Sequence, residues 1–207
     1  DVSRARSVAA VEKAMIDDQK VFLVTQKNPD DENPSQEQLH QIGTVSAVKQ
    51  LVKLPGGLIR VMVEGLYRGE LLCLETMDPA LTGEIAVLSE QGDELDYVTR
   101  EAMSRVLKDK MEEYGRENQR AAKEILPNLM IITELDELMD QMAIQIPWDY
   151  TVRQEVLDHA SLEDRYDTIL KSLMKEIEVL HIKRDLQTKL KDAIDKNQRD
   201  YVLREQL

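Results

Sequence analysis

The chain has 207 residues, 42% of them hydrophobic and 32% charged, a balance that fits a helix-rich fold of one or two domains with a buried core. Its 40 acidic and 27 basic residues give a net charge of −13. No third is basic: 9 basic against 14 acidic in 1–90, 7 against 14 in 91–150 and 11 against 12 in 151–207. Phosphate-neutralising nucleic-acid binding is therefore excluded as an expectation.

Val8, Val11 and Met15 fall at helical spacing, so residues 4–17 read as an amphipathic helix. "KVFLVTQ" follows as a short buried strand, and "KNPDDENPSQEQ" as an exposed loop. From Ile42 to Glu90 the texture is β. "IGTVSAVKQLVKL" and "LIRVMVEGLY" flank the hairpin signal "PGG", Pro55 to Gly57. "GELLCLETM" and "EIAVLSE" add two strands, so about five strands and one helix form a β-rich domain over 1–91.

After Gly92 the period changes to 3.6, and residues 92–207 read as an all-α domain. Leu95, Val98, Ala102 and Val106 mark the first helix, with Met103, Leu107 and Met111 widening its stripe. Thr133 to Asp136 resembles a capping box ahead of Leu135, Leu138, Met139, Met142 and Ile146. "PWDY" breaks that helix, with Trp148 as a hinge anchor, and a short helix with Val152, Val156 and Leu157 follows. A long helix then runs from about Ser161 without Gly or Pro to Leu207. Its seam of Leu162, Tyr166, Ile169, Leu173, Ile177 and Leu180 shifts phase to Leu186, Leu190, Ile194 and Tyr201, a pattern shared by a helix kinked near 181–185 and by a straight helix that changes partners. Both ends of the chain lie within or beside helical patterns, as in a piece of a larger protein.

Catalytic signals are absent from the pattern. "LPGGL" lacks the spacing and the Lys-Ser/Thr ending of a phosphate loop. His40, His159 and His181 are too dispersed to predict a metal site, and no pair of carboxylates or Ser/His/Asp set has a defining context. The lone Cys73 offers no disulfide framework or zinc spacing and reads as a buried, inert thiol, consistent with a reducing cytoplasm. No apolar run reaches the roughly 18 residues of a membrane span. Six of nine methionines lie between Met103 and Met174 on apolar helix faces and read as core, while Met62 and Met77 belong to the β part.

Two stretches carry a resemblance. "IGTVSAVKQLVKLPGGLIRVMVEGLYRGEL", Ile42 to Leu71, resembles the N-terminal substrate-binding domain of Lon, the ATP-dependent serine protease. Leu173 to Leu207, with "KEIEVL" and "NQRDYVLREQ", is similar to the helical segment preceding the Lon ATPase module.

The resemblance implies a PUA-like β domain followed by a helical bundle, with an opening strand upstream of Asp1. It also implies a non-catalytic region that captures unfolded or damaged proteins and helps a homo-hexamer assemble. ATP, Mg and the Ser–Lys dyad would belong to other modules. Candidate substrate contacts are Met62, Leu66 and Met77, used as weak, degenerate apolar contacts, while Tyr201, Leu203 and Arg204 would lie on the helix leading to the ATPase. A rival reading is a coiled-coil scaffold built on the long helix.

Overall fold

The computed structural model describes residues 1–89 and 95–205, with side chains described through Gln198. The fold is α+β and divides into two compact units. One comprises Asp1–Gln91 with Leu157–Ser161, the other Gly92–Val156 with Leu162–Leu207.

The first unit opens with helix α1, Ala5–Ile16, which buries Val11 and Ala14. Four antiparallel strands follow in the order β1-β2-β3-β4: Lys20–Leu23, Ile42–Lys53, Ile59–Thr76 and Thr82–Val87. Val45, Val48, Ile59, Leu71 and Ala80 join α1 in the core. Pro55–Gly57 turns β2 into β3 through Gly56 and Gly57 at φ 82° and 78°, a left-handed geometry in which a Cβ would be strained.

Two expectations change here. The two strands read from Leu58 to Met77 are one 18-residue strand, so the sheet has four strands rather than about five. Bulges make this possible: the register shifts twice between β2 and β3 and twice between β3 and β4. Bulges bend and twist a strand, and β3 exchanges part of its pairing from β2 to β4 along its length. β1, expected to be buried, is a four-residue edge strand whose end residues Lys20 and Leu23 are exposed.

β4 pairs with β3 only between Gly69 and Thr76. At the other end of β3, Val2 bridges Ile59 through paired backbone hydrogen bonds of 2.8 and 3.0 Å, and Asp1 pairs with the Arg60 guanidinium at 2.7 Å. This antiparallel alignment would aim any residue upstream of Asp1 along Val61 and its successors. Arg68 of β3 also donates a 3.1 Å hydrogen bond to the His159 carbonyl, within the same unit.

The second unit contains α2 (Tyr97–Glu117), α3 (Gln119–Glu124), α4 (Leu126–Met130), α5 (Leu135–Gln145), α6 (Tyr150–Asp158) and α7 (Leu162–Glu205). Asp96 caps α2 by accepting from the Thr99 N–H at 2.7 Å, and Asn118 caps α3 through Ala121. Its core joins Leu107, Met111, Tyr114, Leu129, Leu138, Met139, Met142, Ile146, Ile169 and Leu173.

On α2 the buried face is Ser104, Leu107, Met111 and Tyr114, whereas Val98 is 73% exposed and Ala102 and Val106 are exposed too. The expected stripe therefore turns inward on its widened side, where Leu107 and Met111, joined by Tyr114, offer more apolar area per residue than Val98, Ala102 and Val106. The expected capping box does not form. The N-cap of α5 is Glu134, without a side-chain capping bond, and the Thr133 hydroxyl instead faces the Glu134 carboxylate at 3.4 Å. α7 is one continuous 44-residue helix, about 66 Å at 1.5 Å per residue, and no break interrupts it at 181–185.

Candidate functional site

The run "IRVMVEGLY" combines β-branched residues with Met and Leu, a composition that suits a pleated surface exposed on one side. It forms the first half of β3. Met62 stands opposite Gln50 and Val63 opposite Val48 on β2, while Leu66 occupies the bulge between the Gly65–Ser46 and Tyr67–Val45 pairs. Met62 is 56% and Leu66 43% exposed, and Val63 and Tyr67 are also open to solvent. The charges beside them are paired: Glu64 with Lys49, and Arg60 with Asp1.

Met62 and Val63, as successive residues, point to opposite faces of the sheet, so the run can offer non-directional apolar contact on each face, with an unbranched Met able to adapt to different partners. Its chemistry suits binding without sequence stringency. Val63 and Tyr67 were not legible as part of it, because in a two-sided strand the period alone does not say which residues stay uncovered.

Met77 lies apart. It follows the last residue of β3, eleven positions after Leu66 and past two register shifts against β4, and is half-buried. The side chains of Tyr201, Leu203 and Arg204 lie outside the described residues, on the last turns of α7.

Cys73 is half-buried rather than buried, its Sγ 3.9 Å from a Glu84 carboxylate oxygen. The sulfur sits where β3 shifts register against β4, which leaves it incompletely covered. Trp148 is buried in the helical core, and its indole N–H finds no acceptor among the described residues. His181 binds Glu117 at 3.0 Å, and Arg184 binds the same carboxylate at 2.9 Å, joining α7 to the end of α2. Among the described residues no group of three metal-capable side chains comes together. None of their helices is long and apolar enough to cross a membrane.

Arg165 was not foreseen as a core residue. It is fully buried on α7, with Asp140 of α5 at 3.6 Å. Its position was readable, since it lies between Leu162 and Ile169 on the apolar face, but its charge concealed it.

The fold is that of Lon N-terminal domains. The N-terminal domain of the Mycobacterium avium complex Lon protease superposes with a TM-score of 0.60 at 16% identity, covering 82% of this chain and 83% of that one. The Lon N-terminal domain protein from Xanthomonas campestris gives 0.52 at 13% identity, covering 79% and 82%.

Sequence relatives extend the likeness along the whole chain. The Lon protease of Lachnoclostridium phytofermentans is 39% identical over 207 residues, and that of Brevibacillus choshinensis 36%, each match covering 100% of this chain and 26% of the relative. The model of the ATP-dependent protease La (LON) substrate-binding domain matches residues 1–175, and the chain belongs to that family. It spans about a quarter of the length of these relatives.

Proposed function

We propose that this chain selects substrates for a Lon-type ATP-dependent protease by holding unfolded or damaged proteins against β3. The observation that carries the reading is the apolar run of Met62, Val63, Leu66 and Tyr67, open to solvent on a strand whose other residues Ile59 and Leu71 anchor a packed core. A receptor that must accept many sequences gains from contacts without hydrogen-bond demands, because each imposed donor or acceptor would reject chains lacking its partner. In this reading the chain also supports assembly of a homo-hexamer in the cytoplasm. Cleavage by a Ser–Lys dyad and hydrolysis of ATP with Mg belong to further modules of the full-length protein.

The test is a fluorescence-anisotropy titration of the 207-residue chain against a permanently unfolded protein, with its native form as control. Selective binding of the unfolded form is expected. Replacing Met62 and Leu66 together by Ser should weaken it by about tenfold or more, since two partly desolvated apolar side chains are lost. The urea midpoint should hold, because both side chains are already exposed. Undiminished affinity in the double variant would remove β3 from the reading. Failure of the unsubstituted chain to bind either form would make it an assembly element.

A further inference from the structure

The second half of β3 has an edge that β2 does not reach. Pairing between the two strands ends at Ile42 and Glu70, and one further bond runs from the Leu71 N–H to the Gln41 carbonyl at 2.8 Å. Past that point a side chain takes over. The Gln36 carboxamide donates to the Leu72 carbonyl and accepts from the Leu74 N–H, each at 3.0 Å. One N–H and one C=O are what a residue of a neighbouring strand would offer there, so Gln36 stands in for a strand.

The loop that carries Gln36 keeps its shape without this contact. A bridge between Gln26 and Leu39 closes it, with the Lys27 N–H bonded to the Gln38 carbonyl and the His40 N–H to the Thr25 carbonyl, both at 2.8 Å. Inside it the Gln26 side chain donates to the Asp31 carbonyl at 2.8 Å, and the Gln38 side chain donates to the Asp31 carboxylate at 3.0 Å. The Ser35 N–H donates to the Gln38 side chain at 2.8 Å. Gln36 is exposed, and Leu72 is 47% exposed. Two neutral hydrogen bonds at the surface each give a small net gain, so an incoming chain can exchange for them at little cost.

An extended polypeptide fits this edge. Its backbone replaces both bonds of the carboxamide, and an apolar side chain beside them gains contact with Leu72. Backbone donors and acceptors are common to every sequence, which suits a receptor of many unfolded chains, whereas folded proteins leave few strand edges open. We propose that Gln36 is a displaceable latch over a strand-addition site on β3, which an extended segment of an unfolded protein opens and occupies. This rests on the reading that unfolded chains are held against β3 and names the form in which they bind.

The test uses the intact 207-residue chain, a labelled peptide of alternating Val and Thr flanked by Lys, and the same peptide with every backbone N–H methylated. Hydrogen exchange at the Leu74 amide is followed beside the anisotropy. Gln36→Ala should speed that exchange about tenfold or more while the urea midpoint holds, because the loop retains its internal bonds. With the latch gone the plain peptide should bind about threefold or more tighter and return protection to Leu74, and methylation should weaken it about tenfold or more. Gln36→Glu, which cannot donate to the Leu72 carbonyl, should also tighten binding. Equal affinity for the two peptides, unchanged affinity in Gln36→Ala, or a Leu74 amide left unprotected in the complex would each overturn the proposal. Binding of unfolded protein that Met62→Ser with Leu66→Ser weakens, and that Gln36→Ala leaves unaltered, would overturn the latch alone. No binding of unfolded protein or peptide by either the parent chain or Gln36→Ala would overturn capture on β3 together with it.

Discussion

Gly43 of β2 faces Gly69 of β3, and the Phe22 ring of β1 lies over the pair. A Cβ at position 43 would stand 2.6 Å from Phe22 Cζ and would also strike the Leu23 carbonyl oxygen, part of the neighbouring backbone. Gly43→Ala is therefore expected to cost about 1–3 kcal/mol through overpacking, read as a lower urea midpoint. Tyr114 offers a different probe. Burial pushes its phenol above the usual tyrosine range, against the lowering effect of the hydrogen bond from Asn118, and nearby Glu176 adds to the rise. A phenol raised in the folded state contributes stability that is fully present below its unfolded pKa of about 10 and lost as pH rises through the folded value. Unfolding free energy should therefore fall in alkali from about pH 10, and Tyr114→Phe should fall less steeply. Tyr166, also raised by burial, would keep a residual slope in the variant. An unchanged slope in Tyr114→Phe would assign the alkaline loss to other groups.

At the scale of elements, α7 divides by its environment rather than by its backbone. From Leu162 to Ile177 it repeatedly returns a buried residue to the core, and from Lys183 to Gln198 every side chain is exposed. The phase shift after Leu180 was legible, and it marks where one continuous helix leaves the core. Deleting 188–207 should consequently leave the unfolding free energy within about 0.5 kcal/mol of the full chain, as for surface changes generally. The circular dichroism should lose helical signal in proportion to the residues removed. A large fall in the urea midpoint would show that the distal half of α7 contributes to the core after all. β3 illustrates the opposite limit. Gly69 read as the start of a separate strand, but pairing continues through it, because bulges absorb the mismatch and a Cβ there would stand 2.7 Å from the Ile85 side chain of β4.

For the whole molecule, composition and periodicity were enough to specify a β-rich part followed by an all-α part with a long terminal helix, and the motifs in Ile42–Leu71 and Leu173–Leu207 were enough to point to the Lon family. Those properties are local: a change of period from 2 to 3.6, a Pro-Gly-Gly turn and short runs of residues need no knowledge of what lies across the fold. The candidate site was half legible. Met62 and Leu66 stand out as apolar residues in a strand, but their exposure depends on how far β4 reaches along β3 and where the bulges fall. Only the tertiary structure decided which side of the α2 stripe turned inward, that β3 is a single strand, and that Arg165 is buried while Leu186 and Leu190 are not. Burial is a property of pairs of surfaces, and a sequence displays one surface of each pair at a time.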